Sequence, residues 1–164
     1  MTAFKDLFDL KGRTAVVTGG CGILGRRFAE GLAEFGARVA IIDLDEKAVE
    51  AAASELSARH SVDAKGYACD ITQPEAIQRA AAAIEADLGP VSILLNNAAS
   101  KTRDVDAFFA PVATFTLETW REIMSVNLDG MFNVAQVFGT GMAERGYGSI
   151  VQTASIYGLS LIHI

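Results

Sequence analysis

Cysteine, histidine and basic charge are all scarce in this chain, and each shortage removes a class of function. Cys21 and Cys69 are the only two cysteines, too few and too far apart for a disulfide framework or a zinc cluster. They are therefore read as free thiols of a reducing compartment. His60 and His163 lack the spacing to thiols or carboxylates that ligation requires, so no metal is expected. Lys and Arg number 14 against 20 Asp and Glu, a net charge of -6, which disfavours a nucleic acid partner because phosphate chains need a basic face. An anionic ligand would have to be held by local dipoles. The first residues mix Lys5, Asp6, Asp9 and Lys11 among apolar ones, leaving no apolar core for a signal peptide or a membrane span. The expected location is cytoplasmic. Repeats and low-complexity stretches are also lacking.

What is present suits one domain of 164 residues, 51% apolar and 21% charged, enough to fill a core and wet a surface. Strand-like runs at Thr14 to Thr18, Arg38 to Asp43, Ala64 to Cys69, Val91 to Asn96 and Ser149 to Thr153 alternate with patterns of helical period. The helices are expected from Ile23 to Phe35, Glu46 to Arg59, Gln73 to Asp87 and Leu117 to Glu144. Residues Asp70 to Thr72 should cap the third, and Gly36, Gly89 and Gly146 should close helices. Val- and Ile-rich strands separated by amphipathic helices predict an α/β fold: a Rossmann-type doubly wound parallel sheet, covered on both faces, in strand order 3-2-1-4-5. The stretch Ala99 to Thr116 reads as the one long irregular loop, placed where such loops line ligand sites.

The densest signal is Thr14-Ala15-Val16-Val17-Thr18-Gly19-Gly20-Cys21-Gly22-Ile23-Leu24-Gly25. A β-branched run enters a glycine cluster, and a helical pattern leaves it directly. That order makes a phosphate cradle: glycines let backbone approach a pyrophosphate, and the helix offers unpaired N–H groups and the positive end of its dipole. The next apolar run ends on Asp43, about twenty residues on, where a carboxylate meets an adenosine ribose. Asp43 would accept from both ribose hydroxyls and repel a 2′-phosphate. With no base after Asp43 until Lys47, and none in the turn before Arg26, NAD is favoured over NADP. The competing reading is that Asp43 only caps the helix starting at Glu46. Asn127 is a second signal, an amide in an apolar helical stretch, costly there unless paired or turned to the surface.

Taken together, Thr18-Gly19 with Gly25, Asp70-Ile71, Asn96-Asn97-Ala98-Ala99, Asn127 within Ser125-Val126-Asn127-Leu128, and Ser155 within Thr153-Ala154-Ser155-Ile156-Tyr157-Gly158 resemble, in order and spacing from Leu10 to Gly158, the motifs of the short-chain dehydrogenase/reductase family. The resemblance implies an enzyme that transfers hydride between a nicotinamide cofactor and a secondary alcohol or ketone. It implies Gly19, Gly22, Ile23, Leu24 and Gly25 along the pyrophosphate, Asp43 and Leu44 at the ribose, Asp70 and Ile71 around the adenine, and Asn97, Ala98 and Ala99 after the fourth strand. It also implies catalytic roles for Asn127, which interrupts its helix and holds a proton-relaying water, and for Ser155, whose hydroxyl steadies the substrate oxygen. Through the long helix from Leu117, the whole protein would form a homodimer or homotetramer around a small-molecule substrate.

Two features depart from that pattern. The spacing Gly19-x-x-Gly22-x-x-Gly25 is shared with the extended branch of nucleotide-sugar epimerases and dehydratases, which stays an alternative. A binding module without catalysis is another. The family's Tyr-x-x-x-Lys, about a dozen residues past Ser155, would fall beyond this chain, which has no lysine after Lys101. Tyr157 and Tyr147 are misplaced for that role, so the piece as given is expected to be nearly inert. Leu159-Ser160-Leu161-Ile162-His163-Ile164 is the translation of CTG TCT CTT ATA CAC ATC, which resembles a transposon-end sequencing adapter. Residues 1–158 are accordingly expected to be an incomplete NAD-binding domain and 159–164 a non-native tail. Lys101, Arg103 and Asp104 in the loop read first as solvated charge; the functional alternative is contact with a polar or acidic substrate, a sugar, polyol or hydroxy acid.

Overall fold

The computed structural model describes residues 7–102 and 104–154. Ser155, Tyr157 and the tail 159–164 lie outside the described residues. Five strands, β1 (Thr14–Thr18), β2 (Arg38–Asp43), β3 (Ala64–Ala68), β4 (Val91–Asn96) and β5 (Ser149–Gln152), form one sheet in the order β3-β2-β1-β4-β5. All four pairings are parallel. The strand order therefore matches the expected one. After β3 the chain returns to the far side of β1, so the direction of winding reverses between β1 and β4. Crevices open at such reversals, outside the carboxyl ends of the strands.

Period-two patterning divides the core. Ala15, Val17, Val39 and Ile41 face α1 (Ile23–Glu34) and α2 (Glu46–His60), packing on Ala29, Ala33, Val49 and Leu56. Val16, Ala40, Ile42 and Leu94 face α3 (Pro74–Leu88) and α6 (Met131–Glu144), packing on Ile77, Ile84, Val134 and Phe138. Small buried residues of α1, namely Gly25, Ala29 and Ala33 at a spacing of four, let that helix lie close to the sheet. In α3, Ile77, Ala80, Ile84 and Leu88 form the buried stripe. Each fully buried Ile or Val contributes roughly 1.5–3 kcal/mol of transfer free energy, so the sheet centre is the stable platform for what stands on its rim.

Some expectations change. The helix expected unbroken from Leu117 to Glu144 is α5 (Leu117–Met124), a π-helical segment (Ser125–Gly130) and then α6. One extra residue per turn widens the backbone there, at the position of Asn127. The loop from Ala99 to Thr116 is not wholly irregular, because α4 (Val105–Phe108) forms in it, its first amides accepted by the Asp104 carboxylate. Gln73, not the Asp70 to Thr72 segment, stands at the start of α3, with Pro74 in its first turn. Coverage of both sheet faces fails at β5, which is exposed along its length. No helix among the described residues is long and apolar enough to cross a membrane.

Candidate functional site

The turn after β1 is shaped by two glycines. Gly19 has φ +64°, and a Cβ there would stand 2.9 Å from Ala98 Cα. A Cβ on Gly25 would fall 2.1 Å from the Gly19 carbonyl oxygen, so the first turn of α1 can fold against the turn only without a side chain at that position. Gly22, at the N-cap, is extended (φ -72°, ψ 169°). Among the described residues no side chain caps α1, and its first turn holds no acid. Its leading amides thus point outward with the dipole behind them.

Asp43 ends β2 one strand away. Its Oδ2 accepts from Cys21 N at 2.9 Å and its Oδ1 from Leu44 N at 2.9 Å. It does not cap α2, since Asp45 does so by accepting from Ala48 N. The capping alternative for Asp43 is therefore overturned, and its carboxylate is instead pinned to the glycine turn with lone pairs to spare. Asp70 folds back on its own loop, its Oδ1 accepting from Thr72 N at 2.9 Å and from Thr72 Oγ1 at 2.7 Å. Burial, reinforced by the adjacent Asp43, pushes the Cys21 thiol up, and burial with Asp70 does the same to Cys69. Both remain protonated near neutral pH.

Thr18 and Asn96, both fully buried at the strand ends, lock β1 to β4. The Thr18 hydroxyl donates to Asn96 Oδ1 at 3.2 Å and accepts from Asn97 N and Ala98 N at 2.9 and 3.0 Å. Asn97 Nδ2 donates to the Thr18 carbonyl at 3.2 Å, and Asn96 Nδ2 reaches the Met131 carbonyl at the head of α6, 2.7 Å away. The Asn96 and Asn97 amides thus steady this strand end. Thr18 is the hub of this junction, a role that emerges only when β1 and β4 pair.

Asn127 projects from the π segment onto the loop after β4. Its Oδ1 accepts from Ser100 N at 2.7 Å and its Nδ2 donates to Ser100 O at 2.9 Å, a two-way clamp that pairs its amide and removes the cost of partial burial. The surface-facing alternative for Asn127 is thereby corrected. Ile71 packs behind the same segment, 2.9 Å from where a Cβ on Gly130 would stand. Thr153 N donates to Asn96 O, so β5 reaches the same rim just before position 155.

These pieces enclose a cleft of about 760 Å³. Gly19, Gly22, Ile23, Leu24, Gly25, Asp43, Leu44, Asp70, Ile71, Asn97, Ala98 and Ala99 all line it, joined by Ile42, Cys69, Ser100, Lys101 and Val126. Asn127 holds its wall through Ser100. Ile23 and Leu44, 88% and 70% exposed, leave large apolar side chains bare on the rim. A smaller groove between α1 and α2, about 350 Å³, is bordered by Arg27, Arg59, Glu30 and Glu55, whose charges pair with one another, so it offers little to a ligand.

The sequence pattern of the short chain dehydrogenase family matches residues 13–163. The chain is 36% identical over 148 residues to D-threitol dehydrogenase of Mycolicibacterium smegmatis, covering 90% of this chain and 54% of that protein. It is 41% identical over 155 residues to galactitol 2-dehydrogenase (L-tagatose-forming) of Cereibacter sphaeroides, covering 94% and 57%. Among solved structures, NAD+-bound xylitol dehydrogenase superposes with a TM-score of 0.85 at 31% identity, over 93% of this chain and 56% of that one. NADPH-dependent 3-quinuclidinone reductase from Rhodotorula rubra gives 0.87 at 30% identity, over 98% and 58%. The chain spans little more than half the length of these relatives.

Proposed function

The chain belongs to the short chain dehydrogenase family, and from that premise we propose that the whole protein is an NAD-dependent oxidoreductase interconverting a secondary alcohol and a ketone on a sugar, polyol or hydroxy acid. The observation that carries the reading is an uncapped helix start, α1, facing a cleft whose opposite wall ends in the pinned carboxylate of Asp43. A dinucleotide fits the residues present. The tight turn that Gly19 and Gly25 permit sets the start of α1 against the cleft, where a pyrophosphate would meet the unpaired amides of Ile23 and Leu24, with Gly22 holding the turn through its N–H on the Gly19 carbonyl. Asp43 and Leu44 would take the adenosine ribose, Asp70 and Ile71 the adenine, and Asn97, Ala98 and Ala99 the path beyond β4. The bare Ile23 and Leu44 side chains would be covered by the ligand.

The cofactor choice follows from Asp43. Both of its oxygens hold backbone N–H groups, which keeps the carboxylate fixed as an acceptor for ribose hydroxyls and as a repulsive charge against a 2′-phosphate. An NAD+-bound and an NADPH-dependent protein both stand among the structural neighbours, so this chain's own residues must decide. When bound, the nicotinamide accepts or returns the hydride. In our reading Ser155 hydrogen-bonds the substrate oxygen, and Asn127 keeps the loop after β4 in place, leaving backbone carbonyls of the π segment to hold a relaying water. The substrate proton would pass to the tyrosine of the Tyr-x-x-x-Lys that the family resemblance implies for the whole protein.

The relatives described above are dehydrogenases and a reductase, which speaks against the epimerase alternative raised by the glycine spacing. Leu117, Trp120, Leu128 and Phe132, each 50–62% exposed, follow helical spacing along α5, the π segment and α6. Such a stripe supports association with a second copy. Titrating the whole protein with NADH and NADPH, followed by nicotinamide fluorescence, tests the proposal. Tighter NADH binding, by about tenfold or more, is expected. Tighter NADPH binding would overturn the role of Asp43, and binding of neither would overturn the function.

A further inference from the structure

We propose that Lys101 selects a substrate carrying a carboxylate, so that the alcohol oxidised belongs to a sugar acid rather than a neutral polyol; this rests on the oxidoreductase reading above. Three charged residues line the cleft among the described residues: Asp43, Asp70 and Lys101. The two acids stand at the ends of β2 and β3. The lysine stands past β4, on the far side of β1 from both. The ligand's pyrophosphate is provided for by the amides of α1, which leaves this cation without a task in holding the dinucleotide.

The backbone on each side of Lys101 is anchored. Ser100 is clamped by Asn127 in both directions, and Thr102 is 6% exposed with its hydroxyl on the Asp104 carbonyl. The side chain then lies over an aromatic pair. Its ammonium is 6.0 Å from the ring centre of Phe108 and 5.4 Å from that of Phe109, and the two rings meet edge to face at 5.0 Å. Asp104 secures those rings by capping the short helix that carries Phe108. Among the described residues no carboxylate pairs with the Lys101 ammonium. Ring faces steady a cation without cancelling its charge.

A full positive charge, positioned but unneutralised at the substrate end, favours an anion. A carboxylate would add the Coulomb attraction of an ion pair to the hydrogen bond, which a neutral hydroxyl accepting from the same ammonium lacks. The oxidised carbon lies elsewhere on the substrate, so the carboxylate contributes binding and orientation and is unchanged by the reaction. Lys101 is thus a specificity residue.

The test uses the whole protein and matched pairs that differ in one terminal group, gluconate against sorbitol and threonate against threitol. The wild type should prefer the acid of a pair. Lys101→Met should raise KM for that acid roughly 10- to 100-fold with kcat within about threefold, while KM for the polyol changes less than about twofold. Lys101→Arg should restore most of the preference, and NADH affinity should be the same in all three proteins. Preference of the wild type for the polyols, an equal change for acid and polyol in Lys101→Met, or a parallel loss of NADH affinity would overturn the proposal, the last by placing the lysine on the cofactor. A wild type that binds no NADH would instead strike the oxidoreductase reading beneath it.

Discussion

Helices α1 and α2 both begin at the carboxyl edge of the sheet, a few residues after a strand, yet they begin in opposite ways. The N-cap Asp45 of α2 accepts from Ala48 N at 2.9 Å, and Glu46 adds a negative charge to its first turn. The N-cap of α1 is Gly22, with no side-chain hydrogen bond and no acid following it. A good N-cap stabilises a helix by about 1 kcal/mol. Forgoing it beside the reversal in strand order leaves donors unpaired where a ligand can reach them, while α2, one strand further out, satisfies its own. In the proposed reading the difference separates a helix end that satisfies its own amides from one that leaves them for an anionic ligand.

The largest effect should come from closing the cradle. Gly25→Ala puts a methyl 2.1 Å from the Gly19 oxygen, and the displaced turn should lower NADH affinity at least about 100-fold by fluorescence titration. Giving α1 the start that α2 has is the next way to break the comparison. Gly22→Asp keeps the extended backbone there, with its Cβ 3.3 Å from the Gly19 carbonyl oxygen, and it should change the stability of the ligand-free protein by no more than about a few tenths of a kcal/mol while weakening NADH about tenfold or more, because the new carboxylate occupies and repels. Asp43→Ser comes third. It removes the charge yet keeps an acceptor, whereas Asn would turn its NH₂ toward one of two backbone N–H donors. The ratio of NADPH to NADH dissociation constants should fall by roughly tenfold.

Asp45→Ala should do the converse of the glycine changes. It should cost about 1 kcal/mol, seen as a fall in Tm of roughly 2–4 °C, and leave NADH affinity alone. The smallest effect concerns the groove between the two helices. The Arg27 hydrogen bond, with the Arg27 and Arg59 charges, holds the Glu30 carboxyl below the usual range. Its contribution is therefore full at neutral pH and lost as the pH falls through that lowered value. Thermal melts of Glu30→Gln should differ slightly from wild type at pH 7 and merge with it in acid.

The apolar rhythm made most of this fold legible. Val16 and Val17 face opposite sides of β1 as a period of two requires, and the Gly19 to Gly25 spacing marked the turn before any coordinate did. Composition could not announce the break at Ser125–Gly130, because a π segment keeps helical residues and a helical period on either side and differs only in one inserted residue. Asn127 was the one local clue, an amide needing partners. Thr18 was illegible for a related reason: its three hydrogen bonds go to residues 78 to 80 positions away, contacts that exist only once β1 and β4 pair. Ile150 and Val151 of the edge strand β5 stand 39% and 49% exposed, the uncovered apolar edge expected of an incomplete Rossmann-type sheet.

A crystal of the whole protein soaked with NAD+ tests the central claim most directly. The account predicts pyrophosphate oxygens against the amides of Ile23 and Leu24, with the adenosine ribose on the Asp43 carboxylate. A dinucleotide seated away from the start of α1, or a ribose that leaves Asp43 untouched, would contradict it.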